Sequence, residues 1–237
     1  MGRQRQQYLH RLPPGSRVHY QLDKYLAGKD PNTVSDKISF KNIHYFAAGA
    51  TLFGNDVQGA YQFADKTYVG QNTTHPLNKC VECHDTHSQA VKVEACAACH
   101  TGVTDPGTIR FATDTTDWDG DGNVTEPIEE EIATLQEALY AQIQAAATAN
   151  GMPIAYSAAA YPYFFSDTNG NGTADADEAV RANAYKGWSP NLLKAAFNYQ
   201  YSIKDPGAFT HNPKYIIQIL IDSIEAVGGN VTKYSRP

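Results

Sequence analysis

Cys80-Val81-Glu82-Cys83-His84, followed eleven residues later by Cys96-Ala97-Ala98-Cys99-His100, constrains this chain more than any other feature. Each half is C-x-x-C-H. Two thiols three positions apart reach two vinyl groups along one porphyrin edge, and the next residue is carried beneath the ring to ligate iron. His84 and His100 are the proximal ligands in this reading, and the two motifs use all four cysteines of the chain. A zinc ribbon or a redox dithiol also uses C-x-x-C. Ribbon knuckles normally lie roughly fifteen to twenty residues apart, farther than Cys83 lies from Cys96, and neither alternative explains a histidine directly after both pairs. The reading taken forward is two covalently bound haem c groups.

Composition narrows the class. A net charge of −6 argues against nucleic acid as a partner. No apolar run reaches the roughly 18 residues of a membrane span. Covalent haem attachment takes place outside the cytoplasm, so an extracytoplasmic protein is expected: periplasmic, cell-surface or extracellular. Met1 to Leu12 is basic and polar without an apolar core, so this stretch is not a secretory signal. Either a signal was removed or the chain is one piece of a longer precursor.

Three regions follow: an N-terminal arm and helix (1–35), a dihaem-binding region (36–110), and a helical region with calcium-type loops (111–237). The fold class expected is mainly α with long irregular segments, its core organised on the two haems. A helix is predicted from Ser16 to Ala27, with Val18, Leu22, Tyr25 and Leu26 on one face. Residues 36–79 mix aromatics, polar residues and glycines, which predicts irregular structure or a short hairpin. Ile128, Ile132, Leu135, Leu139, Ile143 and Ala146 recur at helical spacing over 128–150. Glu129 to Glu131 suit the positive end of that helix, and Gly151 closes it. Residues 151–174 read as a loop, and a helix is expected over 176–185. Ser189-Pro190 and Asn212-Pro213 each start a helix, the last ending at Gly228-Gly229.

Each iron needs a sixth ligand. Met1 and Met152 have no supporting context, so histidine on both faces is the economical reading. His211 comes first, because it precedes a capped apolar helix. His87 lies one helical turn beyond His84 and could reach a neighbouring haem. His44 sits among Ile43, Tyr45 and Phe46, and His75 precedes Pro76 just upstream of Cys80; His10 and His19 are weaker candidates. More histidines are suited than two irons require, which implies further haems in missing upstream sequence or in adjacent chains.

Asp167-x-Asn169-x-Asn171-Gly172, with Glu178 at the twelfth position, matches a calcium loop, and Thr173 would offer its carbonyl. Asp117-x-Asp119-x-Asp121-Gly122-Asn123 begins the same way, but its twelfth position is Ile128, so Glu129 or Glu130 would have to substitute. One or two Ca²⁺ ions are expected, against the alternative of metal-free Asp/Asn/Gly turns. Pro162 in the incoming segment predicts a loop followed by a helix and not a paired EF-hand.

The chain resembles the extracytoplasmic multihaem c-type cytochromes of metal-respiring bacteria and some archaea. The resemblance lies in Asn42-Ile43-His44-Tyr45 with Ala47 to Gly54, in the paired motifs with Asp85-Thr86-His87, and in Phe209-Thr210-His211-Asn212-Pro213. It implies that His87 ligates a neighbouring haem, and that His211 acts like the distal histidine before the C-terminal helix of multihaem nitrite reductases. It also implies electron transfer, with other multihaem cytochromes or copies of the same chain as partners in a larger assembly or filament. The alternative is a small reductase with one open iron acting on nitrite- or hydroxylamine-like substrates. The lysine-containing haem motif of those enzymes is absent, and the chain has far fewer haem motifs than its relatives.

Overall fold

A computed structural model describes residues 18–43, 46–110 and 114–237. His10, His44, the side chain of His19 and the helix start expected at Ser16 lie outside the described residues. The described chain is mainly helical. In order it runs α1 (Val18–Leu26), α2 (Ala48–Phe53), α3 (Cys80–Cys83), α4 (Val93–Ala97), α5 (Ile128–Ala149), β1 (Ile154–Tyr156), β2 (Phe164–Ser166), α6 (Pro190–Ile203), α7 (Ala208–His211) and α8 (Pro213–Ala226).

Helices α5, α6 and α8 pack on one another and form the centre. Leu135, Leu139, Ile143 and Ala147 make the inner stripe of α5, and all four are fully buried. The helix stops where predicted, at Gly151, whose φ of +75° favours glycine. Ser189 caps α6 by accepting from Leu192 N at 3.3 Å, and Asn212 caps α8 by accepting from Tyr215 N at 3.3 Å. Replacing Ser189 with alanine is expected to cost about 1 kcal/mol, read from the urea midpoint.

Polar side chains on the two later helices tie down the irregular segment 43–72. Asn198 accepts from Tyr61 N (2.7 Å) and donates to Tyr61 O (3.0 Å). Gln200 accepts from Ile43 N and Gln218 from Val69 N, both at 2.9 Å. The irregular stretch thus gets its backbone partners from helix side chains, and it contains no hairpin among the described residues. Leu22, Leu26 and Ile38 join the same apolar cluster as the three helices.

Two expectations are corrected. Residues 151–174 are not only a loop: β1 and β2 pair antiparallel, with Ala155 opposite Phe165, and the Phe164 ring then packs on Phe40 and Trp188. Residues 176–185 do not form a helix. Glu178 turns back to take the backbone N–H groups of Thr168 and Asn169, Val180 is extended (φ −118°, ψ 146°), and a single 3₁₀ turn follows at Arg181–Asn183.

No residue of 71–105 is buried. The apolar centre among the described residues is built from protein side chains, and the cysteine motifs lie outside it. No helix among the described residues is long and apolar enough to cross a membrane.

Candidate haem and cation sites

Both cysteine motifs close the same turn. His84 N donates to Cys80 O (2.8 Å) and His100 N to Cys96 O (2.9 Å), so each cysteine pair shares one side of a helical turn. Helices α3 and α4 lie against each other. Asp85 N donates to Ala90 O and Lys92 N to Cys83 O, which folds residues 83–92 back on themselves. Burial pushes the Cys83 thiol up, and the neighbouring Cys96 adds to the effect. None of the four cysteines is paired in a disulfide. Among the described residues the clusters of three or more potential metal ligands consist of carboxylates, so the cysteines do not converge as a zinc cage would require.

The His84 and His211 rings are neighbours, with centroids 6.2 Å apart and planes inclined by 34°. Two metal–imidazole bonds of about 2.0–2.1 Å would set ring centroids about 6 Å apart across a single ion. Both rings are also held at Nδ1. His84 Nδ1 lies 2.9 Å from Gln89 O, and His211 Nδ1 lies 2.8 and 2.9 Å from the two carboxylate oxygens of buried Asp205. A carbonyl and a carboxylate only accept, so each Nδ1 carries a proton, and in the neutral imidazole Nε2 is the nitrogen with a lone pair for a metal. The backbone holds His211 as well: Asn72 Nδ2 donates to His211 O (3.1 Å). A Cβ on Gly207 would stand 2.9 Å from His211 Cε1, so the ring lies where only glycine leaves room.

The second motif opens on a cavity of about 340 Å³, lined by Cys96, Cys99 and His100 together with His75-Pro76-Leu77, Ala95 and Arg110. That volume falls within the roughly 300–1,000 Å³ of small-molecule and cofactor sites. His75 Nδ1 meets both Leu77 O (2.8 Å) and Leu77 N (3.2 Å), so residues 75–77 hold the ring in place from its Nδ1 side. The structure thus puts His75 and His100 on one cavity. His87 is exposed on the loop between the motifs, its N–H held by Asp85 (3.0 Å), and it does not line that cavity.

The two acidic loops have the same internal geometry. Asp167 Oδ1 accepts from Gly170 N (2.7 Å) and Asn171 N (3.2 Å), and its Oδ2 accepts from Gly172 N (2.8 Å). Asp117 Oδ1 accepts from Gly120 N (2.7 Å) and Asp121 N (3.2 Å), and its Oδ2 from Gly122 N (2.9 Å). Asn169, Asn171, Asp119, Asp121 and Asn123 each accept from the N–H two residues on. Thr173 donates its N–H to Asn171. Glu178 closes the first loop on Thr168 N and Asn169 N. Glu131 closes the second on Trp118 N (2.7 Å) and Asp119 N (3.0 Å). The expected substitutes, Glu129 and Glu130, are exposed. Three extra residues containing Pro127 move the closing carboxylate beyond the twelfth position, so spacing alone pointed to the wrong glutamate. Asp175 and Glu126 were also missed. Asp175 takes the side-chain N–H groups of Asn169 (2.9 Å) and Asn171 (2.8 Å). Glu126 is buried beside Asp119 and Asp121, and its carboxyl is pushed up to about 7 by burial and then by those neighbours.

No family model matches this chain and no solved structure matches it. Curated proteins do. The C-type polyheme cytochrome OmcB of Geobacter sulfurreducens is 30% identical over 232 residues, covering 85% of this chain and 29% of that protein. The C-type polyheme cytochrome OmcC of the same species is 28% identical over 230 residues, covering 80% of this chain and 26% of that protein. The chain therefore spans under a third of the length of these relatives.

Proposed function

We propose that this chain, a relative of the multihaem c-type cytochromes, carries electrons through two covalently attached c-type haems, each held between two histidines. The approach of His84 and His211 to 6.2 Å between ring centroids, with both Nδ1 atoms engaged, carries this reading. Cys80 and Cys83 would hold one group, with His84 and His211 as its histidine ligands. Cys96 and Cys99 would hold the other, with His100 and His75. Haem c, once attached, supplies an iron centre that exchanges one electron. A metal gripped from both faces offers no open position to a substrate, which favours a carrier over a reductase.

The contact of α3 with α4 supports close spacing of the two groups. His87, which is exposed, and His44, which lies outside the described residues, remain for haems beyond this pair, which suits a longer haem row shared with other multihaem cytochromes or with copies of this chain in a filament. Covalent attachment places the protein outside the cytoplasm. The loops closed by Glu178 and Glu131 suit Ca²⁺: Asp167, Asn169, Asn171, Thr173 and Glu178 in one, with Asp117, Asp119, Asp121 and Asn123 in the other.

Haem quantification on the exported protein tests the reading. Two haems per chain are expected; one or none would contradict it. Asp205 gives a second check. Its carboxylate makes His211 a more basic ligand, which favours ferric iron. Asp205→Asn is expected to raise one midpoint potential and leave the other unchanged. A tenfold effect for one electron is a shift on the order of 59 mV, and spectroelectrochemical titration reads it.

A further inference from the structure

The carboxylates of loop 117–131 are short of partners. Asp119 is fully buried and its Oδ2 has no hydrogen-bond partner among the described residues; Glu126 is 9% exposed and its Oε1 has none either. Ligand oxygens of Asp119, Asp121 and Glu126 lie within 4.8 Å of one another, and those of Asp117, Asp119 and Glu131 form an overlapping group. Buried carboxylate oxygens without donors are costly unless a proton or a cation joins them. Five carboxylates gather in this loop, and Arg110 is the cation that the structure places against them, through Glu131 Oε1 at 2.5 Å.

Arg110 has two faces. Its Nη1 donates to Glu131 Oε1 and to Glu126 O (2.9 Å), its Nε to Asp114 O (3.0 Å) and its Nη2 to Thr116 O. The same residue lines the cavity of Cys96, Cys99 and His100. One residue therefore borders both the acidic loop and the cavity of the second motif.

We propose that Asp119, Asp121 and Glu126 bind a divalent cation, and that Arg110 couples occupancy of that site to the redox state of the group at His100. This rests on the calcium reading of the loops and adds to it the ligand Glu126 and a partner site. A dication here cancels negative charge near the cavity and favours the reduced iron. Coupling is reciprocal, so reduction tightens cation binding by the same factor.

The test uses the haem-loaded protein, stripped with a chelator and titrated with Ca²⁺ by calorimetry. Two sites are expected. Glu126→Gln should weaken one of them at least tenfold, and so should Asp121→Asn, whose parent side chain is exposed and leaves the core undisturbed. Glu178→Gln should remove the other. Two unchanged sites in both Glu126→Gln and Asp121→Asn would overturn the site. If no ion binds to either loop in wild type, the calcium reading itself fails; a single ion lost only in Glu178→Gln leaves that reading and sinks this one. Redox titration tests the coupling. Ca²⁺ should raise one of the two potentials in wild type and in Glu178→Gln but not in Glu126→Gln, and potentials indifferent to Ca²⁺ would overturn the coupling.

Discussion

Replacing His211 with alanine is expected to convert half of the haem iron from low-spin to high-spin. His84 would keep one face of its metal, and the other would open to water. The change should be confined to one haem, because His75 and His100 share a separate cavity. Added imidazole should restore the low-spin spectrum by filling the hole that the side chain leaves. His87→Ala provides the contrast: its ring is exposed and does not line the cavity of His100, so both haems of this chain should stay low-spin. Retention of two low-spin irons in His211→Ala would show that another group occupies the position facing His84.

Glu131→Ala is expected to lower the stability of the fold strongly. Glu131 is fully buried and Arg110 is 8% exposed. Truncation leaves the guanidinium buried without its counter-charge and deprives Trp118 N and Asp119 N of their acceptor. Removing one partner of a buried pair costs about 3–5 kcal/mol. For a chain of this size each kcal/mol lowers the melting midpoint by roughly 2–4 °C, so a fall of roughly 10 °C is expected by calorimetry. The double replacement Arg110→Met with Glu131→Leu should recover most of it, because a buried pair exchanged for apolar groups is close to neutral. A loss under about 1 kcal/mol for Glu131→Ala would mean that the pair is open to water.

The parts of the fold legible in the sequence are those set by local rules. Helices α5, α6 and α8 follow from apolar spacing and from their Ser-Pro, Asn-Pro and glycine boundaries. What was not legible depends on distant partners. The β1–β2 pair is three residues a side and has Tyr161-Pro162 in its connection, too little for an alternation signal. Residues 43–72 are positioned by Asn198, Gln200 and Gln218, amides that read as ordinary polar residues on two helices.

The candidate sites divide in the same way. The cysteine motifs and the first acidic loop announce themselves by spacing. Asp205 gives no local sign of its role: it lies six residues before His211 and meets the imidazole only because the chain turns at Gly207. Glu131 escaped because a fixed twelve-residue template does not anticipate the inserted turn. His75 looked no better than His44 or His87, since nothing in the sequence says that residues 75–77 line the cavity of Cys96.

Low-temperature EPR of the fully oxidised protein, with haem counted on the same sample, tests the central claim most directly. Two low-spin ferric signals per chain and no high-spin iron are predicted, since histidine holds both faces of each metal. A stoichiometric high-spin signal would contradict that account: one iron would be open, and binding of nitrite or hydroxylamine would become the reading to pursue.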